Sequence, residues 1–238
     1  MDINCDLGEG LGNDERIMPF ISSCSIACGV HAGNWNVMKS TVLLAKKHKV
    51  KIGAHPSFSD RENFGRKEMF IPKAILKSQI INQIASLNEI VKAEGGHLHH
   101  IKPHGALYNM AAKFNDVAMA VIEAVQFFDE NLILYVPYNS LIARRSRELR
   151  VPYFIEAFAD RTYNDDYTLV PRNEPEAVIE NTALIEERVT NMMNDRTIKT
   201  LNGRIKTIKL DTICVHGDNP NVVEIVKTLS HLINKEVE

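Results

Sequence analysis

The sequence has one tryptophan, few aromatics and no apolar run approaching the roughly 18 residues of a membrane span. Its 28 Lys and Arg against 30 Asp and Glu, scattered along 238 residues, leave a formal net charge of -2. That balance provides no basic stripe for nucleic acid and no polybasic membrane anchor, so a small-molecule substrate is the default reading. The opening Asp2-Ile3-Asn4-Cys5-Asp6 is strand-like and acidic and lacks the basic and apolar regions of a secretory signal. The expected location is the cytoplasm, where Cys5, Cys24, Cys28 and Cys214 stay reduced. Cys24 and Cys28 fall in a strand-like run that would hold them about 13 Å apart, so they read as buried structural thiols. There is no serine elbow. The glycines of Gly8-Glu9-Gly10-Leu11-Gly12-Asn13 come without the lysine and Ser/Thr of a P-loop and without a dinucleotide fingerprint. Nothing reads as a linker, and one α/β domain over 1–238 is expected.

What the chain does have is histidine at the ends of strand-like runs. Gly29-Val30-His31-Ala32-Gly33, Gly53-Ala54-His55-Pro56-Ser57, Lys102-Pro103-His104-Gly105-Ala106 and Cys214-Val215-His216-Gly217-Asp218 each end such a run on histidine, and turn-forming or small residues follow. A site on one rim of a parallel barrel needs this pattern, because separate strands there aim side chains at a common point.

Strands are expected at the N-terminus and over 25–30, 51–54, 99–104, 132–136, 153–159 and 211–215. Helices are expected after Gly33-Asn34, from Pro72 to Gly95-Gly96, after Gly105-Ala106-Leu107-Tyr108-Asn109 as far as Phe128, over 140–149, from Pro175 to about Asn194, and after Asn219-Pro220. Seven strands alternating with at least six helices argue for a parallel sheet with right-handed crossovers. The segment 195–209 fits least well and reads as a polar hairpin around Asn202-Gly203.

Side chains alternate along a strand. Asn4 and Asp6 share one face of the first strand. Gly29 and His31, Gly53 and His55, His100, Lys102 and His104, Glu156 and Asp160, and Cys214 and His216 fall likewise opposite the main apolar set. A single inward histidine is ordinarily a satisfied core group. Six strands agreeing are better explained as one paired, water-accessible site, since unpartnered burial of each group costs several kcal/mol.

Carboxylates, imidazoles and an ammonium around one pocket suit proton transfer and charge stabilisation at a carbonyl or phosphoryl group. A metal hydrolase is the competing reading, because Asp6, His31, His55, His104 and His216 are all acceptable ligands. His100-x3-His104 would share a metal only if helical, and Pro103 argues for an extended form with the rings about 13 Å apart. The expectation is therefore no protein-held metal. Phosphate could be received at the helix N-termini after Gly217-Asp218-Asn219-Pro220 or after Gly33-Asn34. Arg66, Arg161 and Arg172 lie on two long polar loops that could close over a charged ligand.

Seven motifs in order, Asn4 to Glu9, Ile26 to Gly33, Gly53 to Pro56, Phe64 to Arg66, Lys102 to Asn109, Phe158 to Arg161 and Cys214 to Pro220, resemble the LamB/YcsF family, which supplies the A subunit of bacterial 5-oxoprolinase. The resemblance implies a distorted seven-stranded (β/α) barrel similar to glycoside hydrolase and deacetylase barrels. It implies ATP-dependent opening of the 5-oxo-L-proline lactam to L-glutamate, with ADP and phosphate released. ATP, with Mg2+ carried by the nucleotide, and two further subunits, B and C, come with it. On this reading Asp6, His55, Lys102, His104 and Asp160 are the catalytic set. Glu9, His31, Asn34, Arg66, Arg161, His216, Asp218 and Asn219 bind substrate or nucleotide. The alternatives are a metal-dependent deacetylase or amidase and a non-catalytic substrate-binding subunit. The chain departs from the family pattern at Asn34-Trp35, at the compact loop Gly10-Leu11-Gly12-Asn13, and at Tyr167, where glycine is common.

Overall fold

A computed structural model describes residues 1–235; the last three residues of the expected 1–238 unit lie outside the described residues. The strands, in chain order, are β1 (Asp2–Leu7), β2 (Ser23–Ala27), β3 (Lys51–His55), β4 (His100–Ile101), β5 (Ile133–Pro137), β6 (Tyr153–Phe158), β7 (Thr197–Lys199), β8 (Ile205–Thr207) and β9 (Thr212–Val215). Seven of them close into a parallel barrel of order β1-β2-β3-β4-β5-β6-β9, in which β9 returns to pair with β1. The remaining two, β7 and β8, form the antiparallel hairpin expected around Asn202-Gly203.

The helices are α1 (Asp14–Ile17), α2 (Trp35–His48), α3 (Lys73–Ala93), α4 (Gly105–Ala111), α5 (Asn115–Phe128), α6 (Leu141–Glu148), α7 (Thr182–Asn194) and α8 (Val222–Lys235). Local chemistry accounts for their ends. The Asn34 side chain accepts from the Val37 N–H to start α2, and Lys46, Lys47 and His48 close its last turn. In α3 the buried Leu76, Ile80, Ile84, Leu87 and Val91 repeat every three or four residues, so one face packs on the sheet.

Three expectations are corrected. The helix expected to follow Asn109 and run to Phe128 starts only at Asn115, because Phe114 is extended, and a separate helix, α4, covers Gly105–Ala111. The helix expected from Pro175 starts only at Thr182: the Ala177 carbonyl accepts from the Thr162 N–H and the Ile179 N–H donates to Asp160, so this backbone is used in strand-like pairing. The second strand ends at Ala27, since Gly29 takes φ +80 and turns the chain, which leaves His31 in the loop beyond it. The paired part of β4 is also short. The Lys102 and His104 N–H groups nevertheless donate to the Ala54 and Pro56 carbonyls at 2.9 and 2.8 Å, so the chain stays extended to the rim.

The alternation decides what each face of the barrel carries. Ile3, Cys5, Ile26, Ile52, Ile101, Leu134, Ala157, Ile213 and Val215 are buried in the apolar core. The opposite face is polar. Deep in the barrel Asp2 Oδ2 accepts from Ser23 at 2.8 Å and Thr212 at 2.7 Å, and Asn4 Nδ2 donates to Thr212 at 2.8 Å. The His100 ring stacks on Tyr135 at 4.0 Å and meets Ser25 Oγ at 3.1 Å. Position 53 has to be glycine here, because a Cβ would lie 2.2 Å from the His100 ring that fills the space. Burial holds the His100 pKa well below its ordinary value, so this ring is a neutral packing element.

Candidate active site

Above that layer, at the carboxyl ends of the strands, lies a cavity of about 520 Å³ whose lining includes Asp6, His55, Lys102, His104, Glu156 and His216. Its floor is organised by one ammonium. Lys102 Nζ lies 2.9 Å from Asp6 Oδ1, 2.7 Å from Glu156 Oε1, 3.1 Å from Asn4 Oδ1 and 3.0 Å from Cys214 Sγ. Burial alone would push its pKa down, but the negative charges beside it, Asp6 first and then Glu156, outweigh that and hold it well above its ordinary value. Burial likewise pushes Asp6 up, and His55 and Lys102 reverse the sign, so Asp6 is held ionised.

Beside this floor is a histidine cluster. His31 stacks on His104 at 3.9 Å, and His55 meets His104 edge-on at 4.8 Å. His55 Nδ1 lies 2.7 Å from the Lys102 carbonyl and His104 Nε2 lies 2.8 Å from the Phe64 carbonyl. Glu9 Oε1 lies 3.4 Å from His31 Nε2 and 3.6 Å from His104 Nδ1. Burial, reinforced by the Asp6 charge, raises the Glu9 pKa to about 8, while burial, reinforced by His55, lowers that of His31 to about 3.

A third element is the Asp160–His216 pair. Asp160 Oδ1 is 2.8 Å from His216 Nδ1, and Oδ2 accepts from the His216 backbone N–H at 3.1 Å and from Asn219 Nδ2 at 3.3 Å. Burial pushes Asp160 up, but the His216 charge and these hydrogen bonds outweigh it and keep it an anion. The ring is thereby held with Nδ1 toward the carboxylate and Nε2 free to accept a proton. Over the mouth, Asp218 ties two loops together: Arg66 Nη2 reaches it at 2.5 Å and Arg172 binds it in bidentate fashion at 3.0 and 3.2 Å.

The LamB/YcsF family model matches residues 1–238. This chain belongs to the LamB/YcsF family. It is 46% identical over 241 residues to a Pyrococcus horikoshii protein named as the A subunit of 5-oxoprolinase, covering 99% of this chain and 94% of that one. Its fold matches the crystal structure of a lactam utilization protein from Thermus thermophilus with a TM-score of 0.92 at 34% identity, over 99% of this chain and 96% of that chain. A family 4 carbohydrate esterase from Streptomyces lividans matches with a TM-score of 0.51 at 9% identity, over 99% of this chain and 88% of that chain, a likeness of fold alone.

The barrel brings Asp6, His55, Lys102, His104, Asp160 and His216 to one end, with Glu9 and His31 beside them and Arg66 and Asp218 at the rim. Of the family-implied residues, Asn34 lies outside the cavity lining and Arg161 lies within it. Asn34 is the exposed cap of α2. Arg161 lines the cavity as a buried side chain whose guanidinium donates to the Ala177 and Val170 carbonyls at 3.0 and 2.6 Å. Asn219 is also buried and supports Asp160. Sequence reasoning put Glu156 on the interior face without giving it a role and named Arg172 as a loop residue that could close over a ligand, but it gave Tyr108 and Tyr163 no place in the cavity lining. Alternation in β6 was the signal for Glu156. The others depend on how loops fold back over the mouth.

No helix among the described residues is long and apolar enough to cross a membrane.

Proposed function

We propose that this chain is the A subunit of an ATP-dependent 5-oxoprolinase, which with two further subunits, B and C, opens 5-oxo-L-proline to L-glutamate and releases ADP and phosphate. The relatives' names support the substrate class. The observation that carries the chemistry is the Lys102 ammonium, fixed between Asp6 and Glu156 at the floor of a cavity rimmed by arginines.

An unstrained lactam opens slowly because amide resonance must be broken. In the proposed sequence the lactam oxygen takes the γ-phosphoryl group of ATP and ADP leaves. Water then adds to the ring carbon, the C–N bond breaks with a proton passing to nitrogen, and a second water releases phosphate from the acyl phosphate. Lys102 neutralises the charge that develops on oxygen, and Arg66 and Arg172 face the phosphates from the rim. The proton acceptor for water is His216, oriented by Asp160. His216 serves better than His55 or His104, because each of those already places one ring nitrogen on a backbone carbonyl and turns the other toward its neighbour.

The test is glutamate release from 5-oxoproline with and without ATP, by this chain alone and by the chain assembled with its partner subunits. ATP-dependent release by the assembly is expected. Amide or ester hydrolysis by the isolated chain without ATP, or assembled turnover that does not require this chain, would contradict it.

A further inference from the structure

The cavity wall contains a contradiction between hydrogen-bond acceptors. A carbonyl oxygen only accepts, so His55 Nδ1 at 2.7 Å from the Lys102 carbonyl and His104 Nε2 at 2.8 Å from the Phe64 carbonyl must both carry the ring proton. In their neutral forms the remaining nitrogens, His55 Nε2 and His104 Nδ1, are both lone-pair acceptors, and they face each other at 2.9 Å. Two acceptors do not attract at that distance unless something positive joins them. Nearby, His31 is 1% exposed and neither of its ring nitrogens makes a hydrogen bond, while Glu9 Oε1 stands 3.4 Å from its Nε2. One donor atom from each of Glu9, His31, His55 and His104 lies within 4.8 Å of every other.

We propose that Glu9, His31, His55 and His104 form a site for a divalent cation of the zinc class, held by the protein itself and separate from any Mg2+ arriving with a nucleotide. Donors about 2.1 Å from one ion lie roughly 3.0–3.5 Å from one another; three of the separations here, 2.9, 3.4 and 3.6 Å, are within about 0.1 Å of that range and the rest lie within 4.8 Å, so small side-chain shifts close the set on an ion. Three imidazoles and one carboxylate suit zinc or another late first-row ion, whereas Mg2+ takes oxygen ligands. The backbone carbonyls behind His55 and His104 supply the outer hydrogen bonds that orient metal-binding histidines and fix their tautomers. The other acidic group on the floor, Asp6 with Cys214 and His216, has its cation already in Lys102. The site stands on geometry alone and does not depend on the lactam reading.

The experiment is titration of the chelator-treated, dialysed chain with Zn2+ and with Co2+, without nucleotide or lactam, followed by calorimetry, thermal melting and the visible absorption of Co2+. One equivalent per chain, nitrogen-ligand absorption bands and a raised Tm are expected. Glu9→Gln and His31→Gln should each weaken binding at least tenfold while near-UV circular dichroism reports an intact fold. Substoichiometric uptake by the folded wild-type chain would overturn the site, and so would binding unchanged in both variants. Nitrogen-15 spectra showing a His55 imidazolium that persists in the presence of Zn2+ would also overturn it, since a proton would then join the rings.

Discussion

Two polar layers of one barrel differ in how their groups are satisfied. In the deeper layer Asp2, Ser23, Asn4, Thr212, Ser25, His100 and Tyr135 answer one another with hydrogen bonds and stacking, and the layer is a plug. In the layer at the strand ends, Lys102 holds two carboxylates, His31 has no hydrogen-bond partner, and His55 and His104 oppose lone pairs. Buried polar groups in folded proteins are nearly all paired. The deeper layer leaves one atom unpaired, Asp2 Oδ1, 3.8 Å from the Lys51 ammonium, whereas the upper layer leaves several around one cavity, and that is where a ligand is expected to complete the pairing.

The largest effect should come from Lys102→Met, which leaves Asp6 and Glu156 buried without their cation. We expect a loss of about 3–5 kcal/mol in urea unfolding. Adding Asp6→Asn and Glu156→Gln to that variant removes the two stranded charges and should recover much of the loss.

Asp160→Asn should cost about 2 kcal/mol at neutral pH, since the carboxylate accepts three hydrogen bonds. The sign of its pH dependence follows from the depressed native pKa. The contribution of the carboxylate is complete above the unfolded value of about 3.9 and is lost as pH falls through the lower native value. The stability gap between wild type and variant should therefore close on acidification below about pH 4. A gap that stays constant down to about pH 2 would break the comparison.

Much of this contrast was legible in the sequence, because alternation is a property of the strand. Asn4 and Asp6, Gly53 and His55, and Cys214 and His216 could be assigned to the interior by parity alone. Elements that answer to distant partners were not legible. The break at Phe114 has no Gly or Pro, only the weak start signal of Asn115-Asp116, and the segment after Pro175 is kept from helix by pairing with Asp160 and Thr162. Taking the histidines in pairs along the chain led to the expectation of no protein-held metal. The cluster proposed to hold one draws a residue from each of four separate segments, so no spacing within a segment encodes it.

Smaller effects sharpen the border of the site. Asn34→Ala should cost about 1 kcal/mol through loss of the α2 cap. Loss of assembled turnover in that folded variant would move the border outward. Tyr167 takes φ +71, a conformation that glycine adopts without strain; its ring meets Tyr138 at 5.0 Å and Lys206 Nζ at 4.5 Å. Relieved strain and lost contacts of similar size make Tyr167→Gly worth no more than about 1 kcal/mol in either direction by thermal melting.

The most direct test is the rate of glutamate release from 5-oxoproline and ATP by the assembled complex carrying His216→Asn, with the fold checked by circular dichroism. The account predicts a loss of at least about 100-fold, the share ordinarily carried by a positioned base. Wild-type turnover by the folded variant would contradict it.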